Sequence, residues 1–354
     1  MRIQLEEIEM KTQTMLRAVI APLLLAIPGT AFTAPTIWGT DEDTGNLVKI
    51  KDYDSTPAVT DYGKLSINDR GTIRPFPDTS ADADVFTNIE SFTLNDRGVA
   101  FMIGNSTVTF GDGGTFTAPH LYSLRILNAD GTEAVHVSDP TDPDSFNALQ
   151  SVGVISGIDA DDPINGIDFD PISGLLFGVT ENSGRDDLLI IDPATAVATT
   201  VATSMSGTDD IEDIQFDDRG VLFLIDDDGG SSGDEDILHR AVLDRSVSVP
   251  SLDSIQVVNS TGGDHRIESL GWDFQNNVLL AFSDTSNSLL RMNTASNGFT
   301  NLADVGFNDI EGIDLVPTPT GHPVVPLPVA AWMATPLLGI LGLRRMVQRQ
   351  RPGM

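Results

Sequence analysis

One short segment recurs five times along the 354 residues, and its repetition restricts the fold more than any other feature. The copies are IESFTL from Ile89, INGIDF from Ile164, IEDIQF from Ile211, IESLGW from Ile267 and IEGIDL from Ile310, with start-to-start spacings of 75, 47, 56 and 43 residues. Each alternates apolar and polar positions in the manner of a β-strand. The first four run into a turn: NDRG at Asn95, DPISG at Asp170, DDRG at Asp217 and DFQNN at Asp273. Asp, Asn and Gly at these places suit tight hairpins. A second apolar strand follows each turn (VAFMI, LLFGV, VLFLI, VLLAF). A third is expected at places such as 188–191 and 289–292, and a fourth at 199–202 and 299–303.

Four antiparallel strands in about 45 residues make the unit of a β-propeller blade. The repeated segment would be the innermost strand of each blade. The copy at Ile310 has no partner strands after it, whereas 37–40, 47–50 and 59–62 near the start of the chain can supply them. One blade would then be built from both ends of the chain, which closes the ring and removes exposed sheet edges. The sequence therefore predicts an all-β fold, a β-propeller of five blades with four antiparallel strands each and very little helix between 36 and 317. Residues 63–88 carry a further NDRG turn at Asn68 and read either as a partial sixth blade, so that six blades stay open as a variant, or as a decorated loop. The long first interval calls for an insertion, expected within 140–163. An open β-sandwich is the alternative, but it does not require a repeated first strand.

Both ends of the chain read as export signals. Lys11 and Arg17 precede an apolar run at 18–27, and Gly29-Thr30-Ala31 supplies a small-x-small cleavage site, so 1–31 is expected to be a signal peptide. Glu6, Glu7 and Glu9 are unusual before such a run, and a start at Met10 or Met15 would account for them. At the other end, 324–343 holds no ionisable side chain and matches the length of a membrane-crossing helix. Arg344, Arg345, Arg349 and Arg351 follow, which places 344–354 on the cytoplasmic side. The ectodomain is then 32–323. The order Val325, Pro326, Leu327, Pro328, then Trp332, the apolar helix and the Arg344–Arg345 pair resembles the VPLPA-type sorting tail, a relative of the PEP-CTERM signal of bacterial surface proteins. The family's consensus has Ala where this chain has Val329. The resemblance implies recognition by an exosortase-like sorting protease and delivery to the cell surface or its polysaccharide matrix. A plain membrane anchor is the other reading of the same tail.

Charge narrows the partners. The chain has 52 acidic and 20 basic side chains, and 32–323 alone carries 49 and 13. Such a field works against nucleic acid and anionic membrane surfaces and favours cations. An apolar content of 40% argues for a folded core despite the charge. The absence of cysteine removes disulfides and thiolate metal sites.

The second position of the repeat is Glu90, Asn165, Glu212, Glu268 and Glu311. If the repeated strands surround a channel, these side chains stand at one height around it. Two carboxylates about 8 Å apart repel by roughly 2 kcal/mol at an effective dielectric of about 20, so either water fills a wide mouth, some of the groups are protonated, or a hard cation binds among them. Calcium accepts six to eight oxygens, including those of Glu and Asn. Zinc is disfavoured, because His120, His136, His239, His265 and His322 share no repeat position. The alternative is that the second position only terminates the strand. IEGI at Ile310 resembles the inner-strand signature of calcium-dependent propellers such as esterase-like phytases and lactonase-like proteins, which implies a metal-facing role for Glu311. Two further acidic stretches, 226–236 (DDDGGSSGDED) and Asp159, Asp161 and Asp162, read as weak calcium loops or as solvated turns. The function expected is a binding or structural module of the cell surface, taking calcium and an extracellular polysaccharide or surface protein. The alternative is a metal-dependent hydrolase of phosphate esters or lactones, and a third reading is an inert coat protein.

Overall fold

The computed structural model describes residues 35–315, apart from 43, 70–71, 76–83, 110–114, 140–141, 143–144, 160–161, 181–185, 209, 229–234, 248, 263–264, 297 and 308. The expected signal peptide, the 324–343 segment, the sorting residues and the basic tail lie outside the described residues. Among those described there is no α-helix, and therefore none long and apolar enough to cross a membrane.

The strands in chain order are β1 (Thr36–Asp41), β2 (Asn46–Lys51), β3 (Ala58–Asp69), β4 (Thr72–Pro75), β5 (Asp84–Leu94), β6 (Val99–Thr109) and β7 (Thr115–Arg125). They continue as β8 (Asn147–Val154), β9 (Ile164–Phe169), β10 (Leu176–Thr180), β11 (Asp187–Ile191), β12 (Ala198–Ala202), β13 (Ile211–Phe216) and β14 (Leu222–Asp228). The last are β15 (Glu235–Asp244), β16 (Ser251–Ser260), β17 (Ile267–Asp273), β18 (Val278–Ser283), β19 (Ser288–Met292), β20 (Phe299–Asp304) and β21 (Ile310–Leu315). β9–β12, β13–β16 and β17–β20 are three four-stranded antiparallel sheets. β21 pairs with β1 and continues through β2 to β3, as the sequence predicts. β5–β8 make a further antiparallel set, joined to β3 where Leu65–Ile67 runs parallel to Asn147–Leu149.

The repeated strands meet in a closed order: β5 lies against β9, β9 against β13, β13 against β17, β17 against β21, and β21 against β5. The architecture is all-β and propeller-like. Its apolar core is divided among the junctions between successive sheets. Ile164 and Ile167 of β9 pack on Phe101, Ile103 and Leu121 of the sheet before. Ile211, Ile214 and Phe216 pack on Phe177, Val179 and Leu188. Ile267, Leu270 and Trp272 pack on Phe223, Ile225 and Leu238. Ile310, Ile313 and Leu315 pack on Leu280, Phe282 and Leu289. Ile89, Phe92 and Leu94 close the circle on Trp38, Leu47 and Tyr62. In every copy the first, fourth and sixth residues face the preceding sheet.

An unbroken strand could not do this, since its first and fourth residues point to opposite faces. A β-bulge resolves the conflict. Pairing skips Glu90, Asn165, Glu212 and Glu268 in β5, β9, β13 and β17, so the second residue is the extra one. In β21 the skipped residue is Gly312 instead. Third and fifth residues are thereby turned towards the following sheet, where space is tight. A Cβ on Gly312 (φ 78°) would lie 2.3 Å from the Phe92 nitrogen, and one on Gly166 would lie 2.7 Å from the Asp213 Cα.

One expectation needs correction. The extra length of the first interval does not sit within 140–163, because Asn147–Val154 is the strand β8. It comes from the eleven-residue strands β6 and β7 and from the connection at 126–146, which overlaps that range only at its end. Of the two readings left open for 63–88, the described part fits a decoration: β3 runs on to Asp69 and pairs with β4 as an appendage.

The close approach of β21 to β5 gives a direct test. Gly312→Ala should cost about 3 kcal/mol in denaturant unfolding, from left-handed strain plus overpacking. Gly174→Ala, at φ 71° with nothing within 4 Å, should cost only about 1 kcal/mol. Equal losses would contradict the packing of these inner strands.

Candidate cation site

Two rings of polar groups follow from the bulged strands, and they differ in what they can still bind. The deeper one uses third and fifth positions. Asp168 Oδ1 accepts from Thr93 Oγ1 (2.9 Å) and the Phe169 amide (2.7 Å), while Oδ2 accepts from Gln215 Nε2 (2.7 Å) and the Phe216 amide (2.6 Å). Asp213 accepts from the Leu270 and Ile214 amides, each at 2.7 Å. Asp314 accepts from the Leu94 and Leu315 amides at 2.7 Å and lies 3.1 Å from Thr93 Oγ1. Ser91 Oγ accepts from the Ile167 amide at 2.8 Å. Each of these four residues therefore holds a backbone N–H of the next inner strand. Burial raises all three carboxyls, Asp314 to about 7, against the lowering effect of the amides. Asp168 is lifted further by Asp314. A cavity of about 550 Å³ opens over this ring, lined among others by Phe101, Phe169, Phe274 and Gln215. Asp168 already takes four donors, the capacity of a carboxylate, so the ring serves the backbone rather than a ligand.

The shallower ring lies at the opposite, N-terminal ends of the inner strands, at the second positions. Here Glu311 is only 9% exposed. Burial raises its carboxyl well above the usual range, and Glu268, Glu42, Glu90 and Asp309 push it further. No hydrogen-bond donor among the described residues reaches that carboxyl. Burial also lifts Glu268 to about 8, with Asp309 and Asp284 adding to the rise and Arg266 opposing it. Asn165 Nδ2 sits 3.5 Å from Glu212 Oε2, at the limit of a hydrogen bond.

The structure thus gathers Glu311, Glu268 and Glu90 on one side of the mouth and places Asn165 beside Glu212. It adds three acids that the repeat does not mark. Oxygens of Glu42, Asp309 and Glu311 lie within 4.8 Å of one another, and so do those of Glu268, Asp284 and Asp309. Ring closure delivers Glu42: β1 pairs with β21, and the Glu42 amide bonds the Asp309 carbonyl at 2.9 Å. A span of 4.8 Å is twice a calcium–oxygen distance of about 2.4 Å, so either triad can share one ion. The bulges turn Glu90 and Glu268 out of the pleat, because each is the extra residue of its strand, whereas Glu311 pairs with Thr40 and precedes the extra residue of its own strand, Gly312.

The other acidic stretches are structural where they are described. Asp236 is fully buried and accepts from the Ile267 and His265 amides, both at 2.9 Å. Asp226 is 3.1 Å from His239 Nε2. Residues 229–234 lie outside the described residues, as does Asp161, while the Asp162 amide closes a turn on the Asp159 carbonyl at 3.2 Å.

Residues 139–218 match DUF4394, a domain of unknown function, over a stretch that includes β8 to β13. No curated protein matches the chain. Among solved structures, the nidogen/laminin complex aligns at 11% identity and a TM-score of 0.40, covering 80% of this chain and 98% of that one. A candidate 6-phosphogluconolactonase from Bacteroides uniformis aligns at 13% and 0.38 over 80% and 99%. The Swd1 β-propeller domain of Myceliophteria thermophila aligns at 12% and 0.36 over 80% and 89%. Likenesses of this degree say nothing of activity.

The deeper ring makes a pH prediction. The folded pKa of Asp314 lies above its unfolded value, so its favourable contribution is complete below about pH 4 and is lost as pH rises through 7. Urea unfolding from pH 5 to 8 should shift against wild type relative to Asp314→Asn, by at most about 1.4 kcal/mol per pH unit. A constant difference across that range would contradict the raised carboxyl.

Proposed function

We propose that the protein is an exported, surface-sorted propeller of five blades that binds calcium at the mouth formed by the second repeat positions and acts as a binding module of the cell surface. The observation that carries this reading is the burial of Glu311 against Glu42, Glu90, Glu268 and Asp309. Like charges at this density are tolerated when protonated or when a cation lies among them, and hard oxygen ligands favour calcium. The cation ligands are Glu311, Asp309 and Glu42, with Glu90 and Glu268 beside them and Asn165 and Glu212 completing the ring. The blade count rests on the closed order of five repeated strands. Export rests on the leader at 1–31 and on the 324–354 tail, which passes the chain to an exosortase-like protease and leaves the propeller outside the cytoplasm. An extracellular polysaccharide or surface protein is the partner that fits this location.

A metal-dependent hydrolase is the rival. It asks for a cationic side chain free to orient substrate, whereas Arg266, which adjoins the ring, is paired with Glu268 and Asp284 at 3.1 and 3.0 Å. The binding reading therefore stands first.

Binding at the mouth should appear as stabilisation by mass action. Calcium at a hundredfold excess over Kd adds about 2.7 kcal/mol, or about 5–10 °C in Tm for a domain of this size. Thermal unfolding with EGTA and with calcium should show this rise in wild type and lose most of it in Glu311→Gln. No rise in wild type, or an equal rise in both, would count against the site.

A further inference from the structure

The two acidic triads share Asp309 and are unequal in one respect: a side chain already lies across the second. Arg266 Nη2 donates to Glu268 Oε1 at 3.1 Å and Nη1 to Asp284 Oδ2 at 3.0 Å. Its guanidinium thus bridges two of the three acids that could hold a second ion. The third, Asp309, contacts the Glu268 carboxyl. Glu268 Oε2 is buried with no hydrogen-bond partner among the described residues, so the arginine satisfies only one of the two Glu268 oxygens. The first triad differs. Glu311 is more than nine-tenths buried, points at Glu42 and Asp309, and has no donor among the described residues.

We propose that Arg266 is a tethered cation that fills the second of two adjoining cation positions, leaving the mouth with one divalent-ion position, held by Glu42, Asp309 and Glu311. The inference rests on the calcium reading above and deepens it by fixing the number of ions and the residue that sets it. A fixed positive charge beside the ion also limits the total charge that the acids can gather, since a second divalent ion at Asp309 would sit against both the first ion and the guanidinium. Arg266 adopts φ 43°, a left-handed conformation that favours glycine, and it precedes the repeated strand that carries Glu268.

That conformation supplies a suitable variant. Arg266→Gly removes the charge and suits the backbone, so loss of folding should not mask the result. The experiment is calorimetric titration of calcium chloride into the chelator-treated full-length protein in detergent, for wild type, Arg266→Gly, Arg266→Lys and Glu311→Gln. Wild type and Arg266→Lys should take one ion. Arg266→Gly should take two, and adding Asp284→Asn to it should return the count to one. Glu311→Gln should weaken the single wild-type ion at least tenfold. A count of one in Arg266→Gly, or of two in wild type, would overturn the role of Arg266 while leaving calcium binding in place. A count of zero in wild type would overturn both this inference and the calcium reading.

Discussion

The fold depends on side chains of one inner strand holding the backbone of the next. Inner strands of neighbouring sheets are not paired to each other, so amides on their facing edges would be buried without a partner. Ser91 takes the Ile167 amide, Asp168 takes Phe216, Asp213 takes Leu270 and Asp314 takes Leu94. The remaining junction, β17 to β21, is made by contact. A Cβ on Gly271 would meet the Ile313 carbonyl oxygen at 3.2 Å, a tight contact, so glycine lets the two backbones come close there. Apolar clusters supply the bulk of the attraction across each junction, but they are non-directional. The side-chain bonds to backbone amides set the placement at four of the five junctions, three through a carboxyl and one through the Ser91 hydroxyl. The Asp314–Leu94 bond has a particular place, since it joins the final strand to β5 and so secures the closed order.

In β5, β9, β13 and β17 the same bulge that aims the third and fifth residues at the next sheet turns the second residue out of the pleat. The structural ring and these four second positions are therefore two results of one irregularity. Glu311 is the exception, since it pairs with Thr40 and the extra residue of its strand is Gly312. Its strand is held by β1 on one side and by the Leu94 amide through Asp314 on the other. The closing strand pair also brings Glu42 to Asp309. A cation at this position would tie the two ends of the propeller together, which links ligand binding to the stability of ring closure.

Much of this was legible in the sequence. The repeated segment placed all five inner strands, and the NDRG, DPISG, DDRG and DFQNN turns placed the hairpins that follow. Asn95, Asp170, Asp217 and Asp273 each cap their own turn through a side-chain oxygen. The closing strands at 37–40, 47–50 and 59–62 could be read because the Ile310 copy lacked partners. The bulge was harder to see. An apolar residue at positions one, four and six looks like alternation unless the three-residue step from one to four is taken as a break in period. The amide-holding ring was not legible, because the fifth position is occupied by Thr93, Asp168, Gln215, Gly271 and Asp314. Its partners are backbone atoms, which leave no mark in sequence. Glu42, Asp284 and Asp309 fall outside the repeat; Asp309 stands just before its last copy, whereas strand pairing brings Glu42 and Asp284 to it.

The most direct test of this account is native-state hydrogen exchange at the Ile167, Phe216, Leu270 and Leu94 amides. If the side-chain bonds across the junctions hold the ring, these four amides exchange only by global unfolding, with a common free energy equal to that from denaturant melts. Fast and unequal exchange at these positions, with slow exchange confined to amides within the individual sheets, would contradict it.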